Sequence, residues 1–544
     1  MKIDNLMESQ TSHKTEKIFF FGMQNVLSEP SVGTVGSKAY NLIRMTAIGL
    51  SVPPGFVLAT SFCNEYLKNN NQLSNDFEGL IESNMRRLEN MTRLTFGGLR
   101  RPLLISVRSG APVSMPGMMD TVLNVGLTNT SLHGLIRMTG NPRLAWDSYR
   151  RLIQTYATLV HGCPSDPFDK KIDEYCKKES LQTSDFDSET LKSLTGEFLD
   201  IYQKNVGLEF PQKPLEQLMG AVETVFKSWN SPRASEYRKI HHIGDGLGTG
   251  VIIQTMVFGN MGSTSGSGVA FTRNPSTGEN SLYMDFMFNA QGEDVVSGRV
   301  GIQDPDKLRR ILPGVYKEIQ NTKKILEMEF KDVQDFEFTI QEGRLYILQC
   351  RNGKRTNLAA LQIAVDLVRE GIIDPPKALE RIKNLNLKEI EQVNLVLKSG
   401  LKPISVGIPA SSGVVVGEIV LDPMIAKQKE STGKNLILVR DEISTNDING
   451  INSCSGILTH VGGKTSHAAV IARQMNKVCI VGCKNMSIDL KSGKILIGDI
   501  VLNEGDVISL DGNNGKIYGE KLDISVNRPT PLLEEIEKWN NRLQ

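Results

Sequence analysis

Gly462-Gly463-Lys464-Thr465-Ser466-His467-Ala468-Ala469-Val470-Ile471-Ala472-Arg473 puts an imidazole straight after a Gly/Thr/Ser turn and ahead of an apolar run that reads as helix. At a helix start, unpaired backbone N–H groups and the helix dipole favour an anion. Imidazole is also a nucleophile near neutral pH. Two readings follow. His467 is a cap or surface residue, or it carries a transient phosphoryl group within a turn supported by Lys464, Thr465 and Ser466, with Lys464 or Arg473 supplying charge.

Outward from that turn, 544 residues suggest two to four domains. A 40% hydrophobic and 23% charged composition describes an ordinary globular chain. A net charge of +1 gives no electrostatic reason to expect nucleic acid or a membrane surface as partner. No apolar run approaches the roughly 20 residues that span a bilayer. Residues 1–16 lack the apolar core of a secretory signal. Seven scattered cysteines read as free thiols in a reducing compartment, so a cytoplasmic location is expected. Cys479 and Cys483 read as buried thiols rather than zinc ligands.

The fold class expected is α/β and multidomain. Residues 17–110 mix short apolar runs with glycine turns, whereas about 130–235 turn helical. A second β-rich stretch runs from Gly250 to Leu348, and residues 357–400 read as a semi-rigid helical connector rather than a core. The block 401–520 alternates Gly-bounded strands with the helix after His467, closed by the turn signal Asp511-Gly512-Asn513-Asn514-Gly515. Residues 521–544 read as an amphipathic tail helix.

Four constellations lie before the connector. Gly36-Ser37-Lys38 opens an apolar-periodic segment, placing an ammonium beside a glycine turn; a plain surface lysine is the other reading. Arg108 stands at the exit of the apolar run Leu103-Leu104-Ile105. Ser114-Met115-Pro116-Gly117-Met118-Met119-Asp120 is a loop whose N–H groups can cradle phosphates. In Asp335-Phe336-Glu337 the i, i+2 spacing on a strand turns both carboxylates to one face, followed by Gln349-Cys350-Arg351. Two carboxylates together call for a cation, and Mg²⁺ suits hard oxygen ligands. A solvated strand face is the alternative.

The GGxTSHAA-type turn, with Val439-Arg440-Asp441-Glu442 before it and Lys477 to Cys483 after it, resembles the phosphohistidine domain of the pyruvate, phosphate dikinase and phosphoenolpyruvate synthase family. Ser106 to Gly126, Asn141 to Arg151, Trp229 to Ile240, Asn260 to Gly278, Asn289 to Asp294 and Arg351 to Thr356 resemble that family's nucleotide-binding domain. The resemblance implies an ATP-grasp domain over 17–356, the connector 357–400, and a swivelling phosphohistidine domain over 401–520. It implies that Lys38, Arg108, Gly117, Met118, Asp335, Glu337, Gln349 and Arg351 serve ATP, with Asp335, Glu337 and Gln349 on Mg²⁺. The chain departs from the family at His460-Val461, where an arginine is usual, and at Asp285, where glutamate is usual.

No 200–300-residue stretch remains for the (β/α)₈ barrel that binds pyruvate or phosphoenolpyruvate in full-length dikinases. Three readings stay open. One is a dikinase-type phosphotransferase that phosphorylates His467 from ATP, releases AMP and serves a small-molecule acceptor or a separate acceptor subunit. The second is a truncated or split pyruvate, phosphate dikinase, and the third a non-catalytic ATP-binding regulator.

Overall fold

The computed structural model describes residues 17–23, 29–113, 115, 118–297, 305–443, 448–464 and 466–543. Backbone contacts divide the chain into two compact units, Met1–Ala47 with Pro53–Met256 and Ile48–Val52 with Val257–Gln544. The division therefore falls inside the nucleotide-binding domain expected over 17–356. The reason is that this region builds two separate sheets.

In the first unit a five-stranded sheet runs in the order Ile18–Phe21, Gly55–Leu58, Gly250–Thr255, Ile105–Gly110, Thr121–Val125, every pair antiparallel. The helical stretch expected near 130–235 is six helices from Asn129 to Ile240. Their starts follow local chemistry. Thr128 and Ser131 form a reciprocal capping box, Asn141 accepts from the Leu144 amide at 3.0 Å, and Asp187 accepts from Thr190 at 2.8 Å. Tyr149, Tyr156, Tyr202 and Phe210 pack edge-on inside the bundle.

The second unit holds a four-stranded antiparallel sheet ordered Arg344–Asn352, Gln334–Gln341, Gly266–Phe271, Tyr283–Phe288. Further along lies an eight-stranded sheet, with Val414–Val420, Leu436–Arg440, Gly456–Thr459 and Val478–Val481 parallel at its centre. Strand alternation sorts its side chains onto two faces. Ile437, Val439, Leu458 and Ile480 point into one core, which the three-stranded sheet Met486–Asp489, Lys494–Ile497, Ile500–Asn503 helps to cover. Leu436, Leu438, Ile457, Cys479 and Val481 point into the other, under the helix His467–Gln474. Cys479 and Cys483 are buried free thiols, and burial pushes Cys479 up to about 12.

Residues 357–400 depart from the expected connector. The helices Asn357–Arg369 and Pro375–Ile382 pack with Thr530–Leu543 into a core of their own, containing Leu361, Val365, Ile382, Leu532, Ile536 and Trp539. The helical pattern was legible, but its apolar face meets a partner some 150 residues away. Beyond these helices the connector becomes the strand Gln392–Val396, which pairs antiparallel with Asp523–Asn527. The tail thus opens with a strand before its helix. Among the described residues no helix is long and apolar enough to cross a membrane.

Candidate active site

Lys38 and Arg108 come together through the backbone of the first unit. Gly36 has φ +83°, and a Cβ there would lie 1.6 Å from the Gly110 carbonyl oxygen. Only glycine lets the chain pass so close. Immediately after it, Ser37 donates to the Ala111 carbonyl from both its amide, at 3.0 Å, and its hydroxyl, at 3.1 Å. The helix Ser37–Ala47, with Lys38 as its second residue, is thereby pinned to the exit of the strand carrying Arg108. Met118 is half-buried at a bend near Asp120, whose carboxylate takes the Arg233 guanidinium at 2.6 Å. Gly117 lies outside the described residues, as does Thr465.

Asp335, Glu337, Gln349 and Arg351 assemble on one face of the four-stranded sheet. Register decides this, because residues directly opposite in antiparallel strands point the same way. Asp285, Val269, Glu337 and Gln349 form one row across the sheet. Tyr283, Phe271, Asp335 and Arg351 form the next row on the same face. The Arg351 Nε donates to Asp335 Oδ2 at 2.8 Å, so the arginine expected on phosphate is engaged by the carboxylate. Asp335 Oδ1 is buried without a hydrogen-bond partner among the described residues. Burial pushes the Asp335 carboxyl above the usual carboxylate range against the pull of Arg351. A cation at Oδ1 would complete that site. Among the described residues no group of three or more His, Cys, Asp or Glu side chains could hold a metal by itself. Two carboxylates and an amide instead match the open, phosphate-completed sets that Mg²⁺ favours.

His467 is the first residue of the helix His467–Gln474, as its sequence predicts. Ser466 caps it, accepting from the Ala469 amide at 3.4 Å. Ala468, Ala469 and Ala472 are small enough to seat the helix tightly on the parallel strands. The two cations near His467 do not stand free beside it. Lys464 Nζ sits 4.5 Å from the Tyr283 ring centre, and the Arg473 guanidinium 5.1 Å from that of Phe271. His460, at the departure from the family pattern, places Nδ1 3.4 Å from Asp441.

Phe271 and Tyr283 belong to the row that contains Asp335. The turn leading to His467 thus packs against the carboxylate-bearing face. Nothing in an isolated Phe or Tyr marks this aromatic pair in the sequence as a docking surface. Tyr283 also donates from its hydroxyl to the Pro409 carbonyl at 2.7 Å, and Ser412 donates to the Ser276 carbonyl at 2.8 Å.

These sheets define a mixed α/β multidomain protein. The family model described as pyruvate phosphate dikinase, AMP/ATP-binding domain, matches residues 73–313 and 305–371. That described as PEP-utilising enzyme, mobile domain, matches 432–515. Pyruvate, phosphate dikinase of Clostridium symbiosum is 44% identical over 515 residues, covering 94% of this chain and 59% of the relative. The chloroplastic enzyme of Mesembryanthemum crystallinum is 42% identical over 535 residues, covering 97% and 56%. The chain belongs to the pyruvate, phosphate dikinase family. It spans a little over half the length of the curated relatives it matches.

Proposed function

We propose that this chain is an ATP-dependent phosphotransferase of the dikinase type, in which His467 takes the β-phosphoryl group of ATP. One observation carries the reading: the turn before His467 lies against the same sheet face as Asp335, Glu337 and Gln349. An imidazole nitrogen forms a bond to the β-phosphorus while the bond to the α–β bridging oxygen breaks, so AMP leaves with that oxygen. The γ-phosphoryl group then passes to phosphate or water. Lys38 and Arg108 offset phosphate charge and hold the nucleotide in line. Asp335, Glu337 and Gln349 hold Mg²⁺, which neutralises charge developing on the phosphate oxygens when bound. The helix start at His467 favours the phosphorylated, anionic form of the side chain.

The phosphoryl group leaves His467 for an acceptor bound elsewhere, a small molecule or a separate subunit. A second reading, a piece or split form of a full dikinase, draws support from identity sustained over nearly the whole chain. The relatives' names make pyruvate the first acceptor to try. The absence of any disulfide among the described cysteines suits the reducing cytoplasm.

The test is incubation with Mg²⁺ and ATP labelled separately at the β or γ position, beside His467→Ala. Acid-labile β-label on the wild type alone, with AMP released, is expected. Transfer of γ-label only, with ADP, would refute dikinase chemistry. Bound ATP with no label from either position would favour the regulatory reading.

A further inference from the structure

Arg473 is among the largest fully buried side chains of the protein, 1% exposed at the end of the helix that His467 begins. Its Nη1 donates to the Ala410 carbonyl at 2.7 Å and to the Lys464 carbonyl at 2.9 Å. Its Nε and Nη2 have no hydrogen-bond partner among the described residues. The guanidinium carbon lies 5.1 Å from the centre of the Phe271 ring, itself buried and paired edge-on with Tyr283. The Ala410 carbonyl is shared, because Ser276 of the carboxylate-bearing sheet's side also donates to it, at 3.4 Å. Burial lowers the affinity of Arg473 for its proton, while Tyr283, Asp335, Cys479 and Asp285 raise it.

This arrangement is unusual for an arginine. A guanidinium has five N–H donors and normally fills them when buried. Here one nitrogen braces two carbonyls of its own domain, and the others face an aromatic ring across the contact. Separation of the two faces would let water reach Nε and Nη2, so closure costs desolvation and regains it only through the ring. Beside the Tyr283–Pro409 and Ser412–Ser276 hydrogen bonds, this contact adds hold without saturating the guanidinium. A domain that must leave one site to serve another needs that balance.

We propose that Arg473 is a positioning residue for phosphoryl transfer to His467: seated on Phe271, it latches the mobile domain to the carboxylate face and, through the Lys464 carbonyl, sets the turn carrying His467. The role in transfer rests on the function proposed above; the latch itself does not. Arg473 acts through the Lys464 backbone and the Phe271 contact.

Hydroxyl-radical oxidation of Tyr283, which the closed contact buries, reports the latch without any catalysis. It would be measured in wild type, Arg473→Gln, Arg473→Lys, Phe271→Leu and the Gln/Leu double variant, beside single-turnover phosphorylation from β-labelled ATP and the ATP dissociation constant. Oxidation of Tyr283 is expected to rise about tenfold in Arg473→Gln and in Phe271→Leu. Phosphorylation should slow by a similar factor while ATP affinity stays within about twofold, a split that general misfolding would not produce. Arg473→Lys should recover part of both, and the double variant should be little worse than the poorer single one. Phe271→Leu leaves the His467 helix intact, so it carries the test if Arg473→Gln does not fold. Tyr283 equally protected in Arg473→Gln and Phe271→Leu, or fully exposed already in the wild type, would overturn the latch. Losses that multiply in the double variant would do the same. A wild type that never forms phosphohistidine, yet shows the oxidation pattern, would sink the proposed function and leave the latch standing.

Discussion

Replacing Gly36 by alanine should separate Lys38 from Arg108 without touching either side chain. The new Cβ would lie 1.6 Å from the Gly110 oxygen and 2.3 Å from its carbonyl carbon. Both are backbone atoms, so no rotamer relieves the clash. The two segments must part by roughly 1.5–2 Å before the contact is an ordinary van der Waals one. That movement breaks the two hydrogen bonds from Ser37 to the Ala111 carbonyl, worth about 1 kcal/mol each. A non-glycine residue at φ +83° adds about 1 kcal/mol of strain. The expected loss is about 3 kcal/mol of stability. Misplacing a substrate-positioning cation by more than 1 Å should also slow phosphohistidine formation about a hundredfold. Gly49→Ala is the control, because Gly49 has φ +82° but nothing within 4 Å of its Cβ direction. It should lose only the strain of about 1 kcal/mol and keep its activity. Urea unfolding, calorimetric ATP binding and single-turnover labelling would be measured on both. If Gly36→Ala binds and transfers like Gly49→Ala, Lys38 is not held by this crossing and the assignment of the pair to ATP fails.

Asp147 is buried between Arg150 and Arg151. Burial alone would raise its carboxyl, but the charges of Arg151 and Arg150 bring it down to about 2. Its folded value therefore lies below the unfolded one, so its stabilisation is complete above about pH 4 and fades as pH falls towards 2. Asp147→Asn should cost about 3 kcal/mol at pH 7 and flatten acid unfolding in that window, measured by urea titration across pH. Arg273, fully buried, joins Glu327 and Glu370 by paired hydrogen bonds. Arg273→Ala should cost about 3–5 kcal/mol in the same assay. Glu370→Gln should cost less, because that carboxylate is 35% exposed. Trp539→Ala should cost about 3–4 kcal/mol of the helical core that it shares with Leu361 and Ile382, read as faster tryptic cutting after Arg381.

Much of the carboxylate site was legible because strand parity is a local rule: Asp335 and Glu337 had to share a face. Their partners were not legible by that rule. The hairpin closes at Gln341 opposite Arg344 through Glu342 and Gly343, both at positive φ. Uninterrupted pairing from that turn would set Glu337 opposite Leu348. A bulge between Glu337 and Phe338 shifts the register by one, which is what brings Gln349 and Arg351 onto the carboxylate face. No residue in the sequence announces that bulge, and only the family resemblance had pointed to Gln349. The helix start at His467 was readable from Ser466 and the alanines behind it. The docking of Lys464 and Arg473 was not, because cation–aromatic contacts join residues roughly 180 to 200 positions apart. The burial of the helices within 357–400 is illegible for a similar reason: it depends on Leu532, Ile536 and Trp539 at the far end of the chain.

The pairing of Gln392–Val396 with Asp523–Asn527 has a kinetic meaning. Everything between those strands leaves and returns through neighbouring positions, about 5 Å apart. To the helices Asn357–Arg369 and Thr530–Leu543, the intervening module then behaves as a short hairpin loop rather than as some 160 residues of slack. Closing the long loop would cost about 2 kcal/mol more than closing one of about ten residues. Once the eight-stranded sheet has folded and zipped the ribbon, most of that cost has gone. The tail helix should therefore find its partners late and quickly, in a chain whose order of assembly is written into where one module was threaded through another.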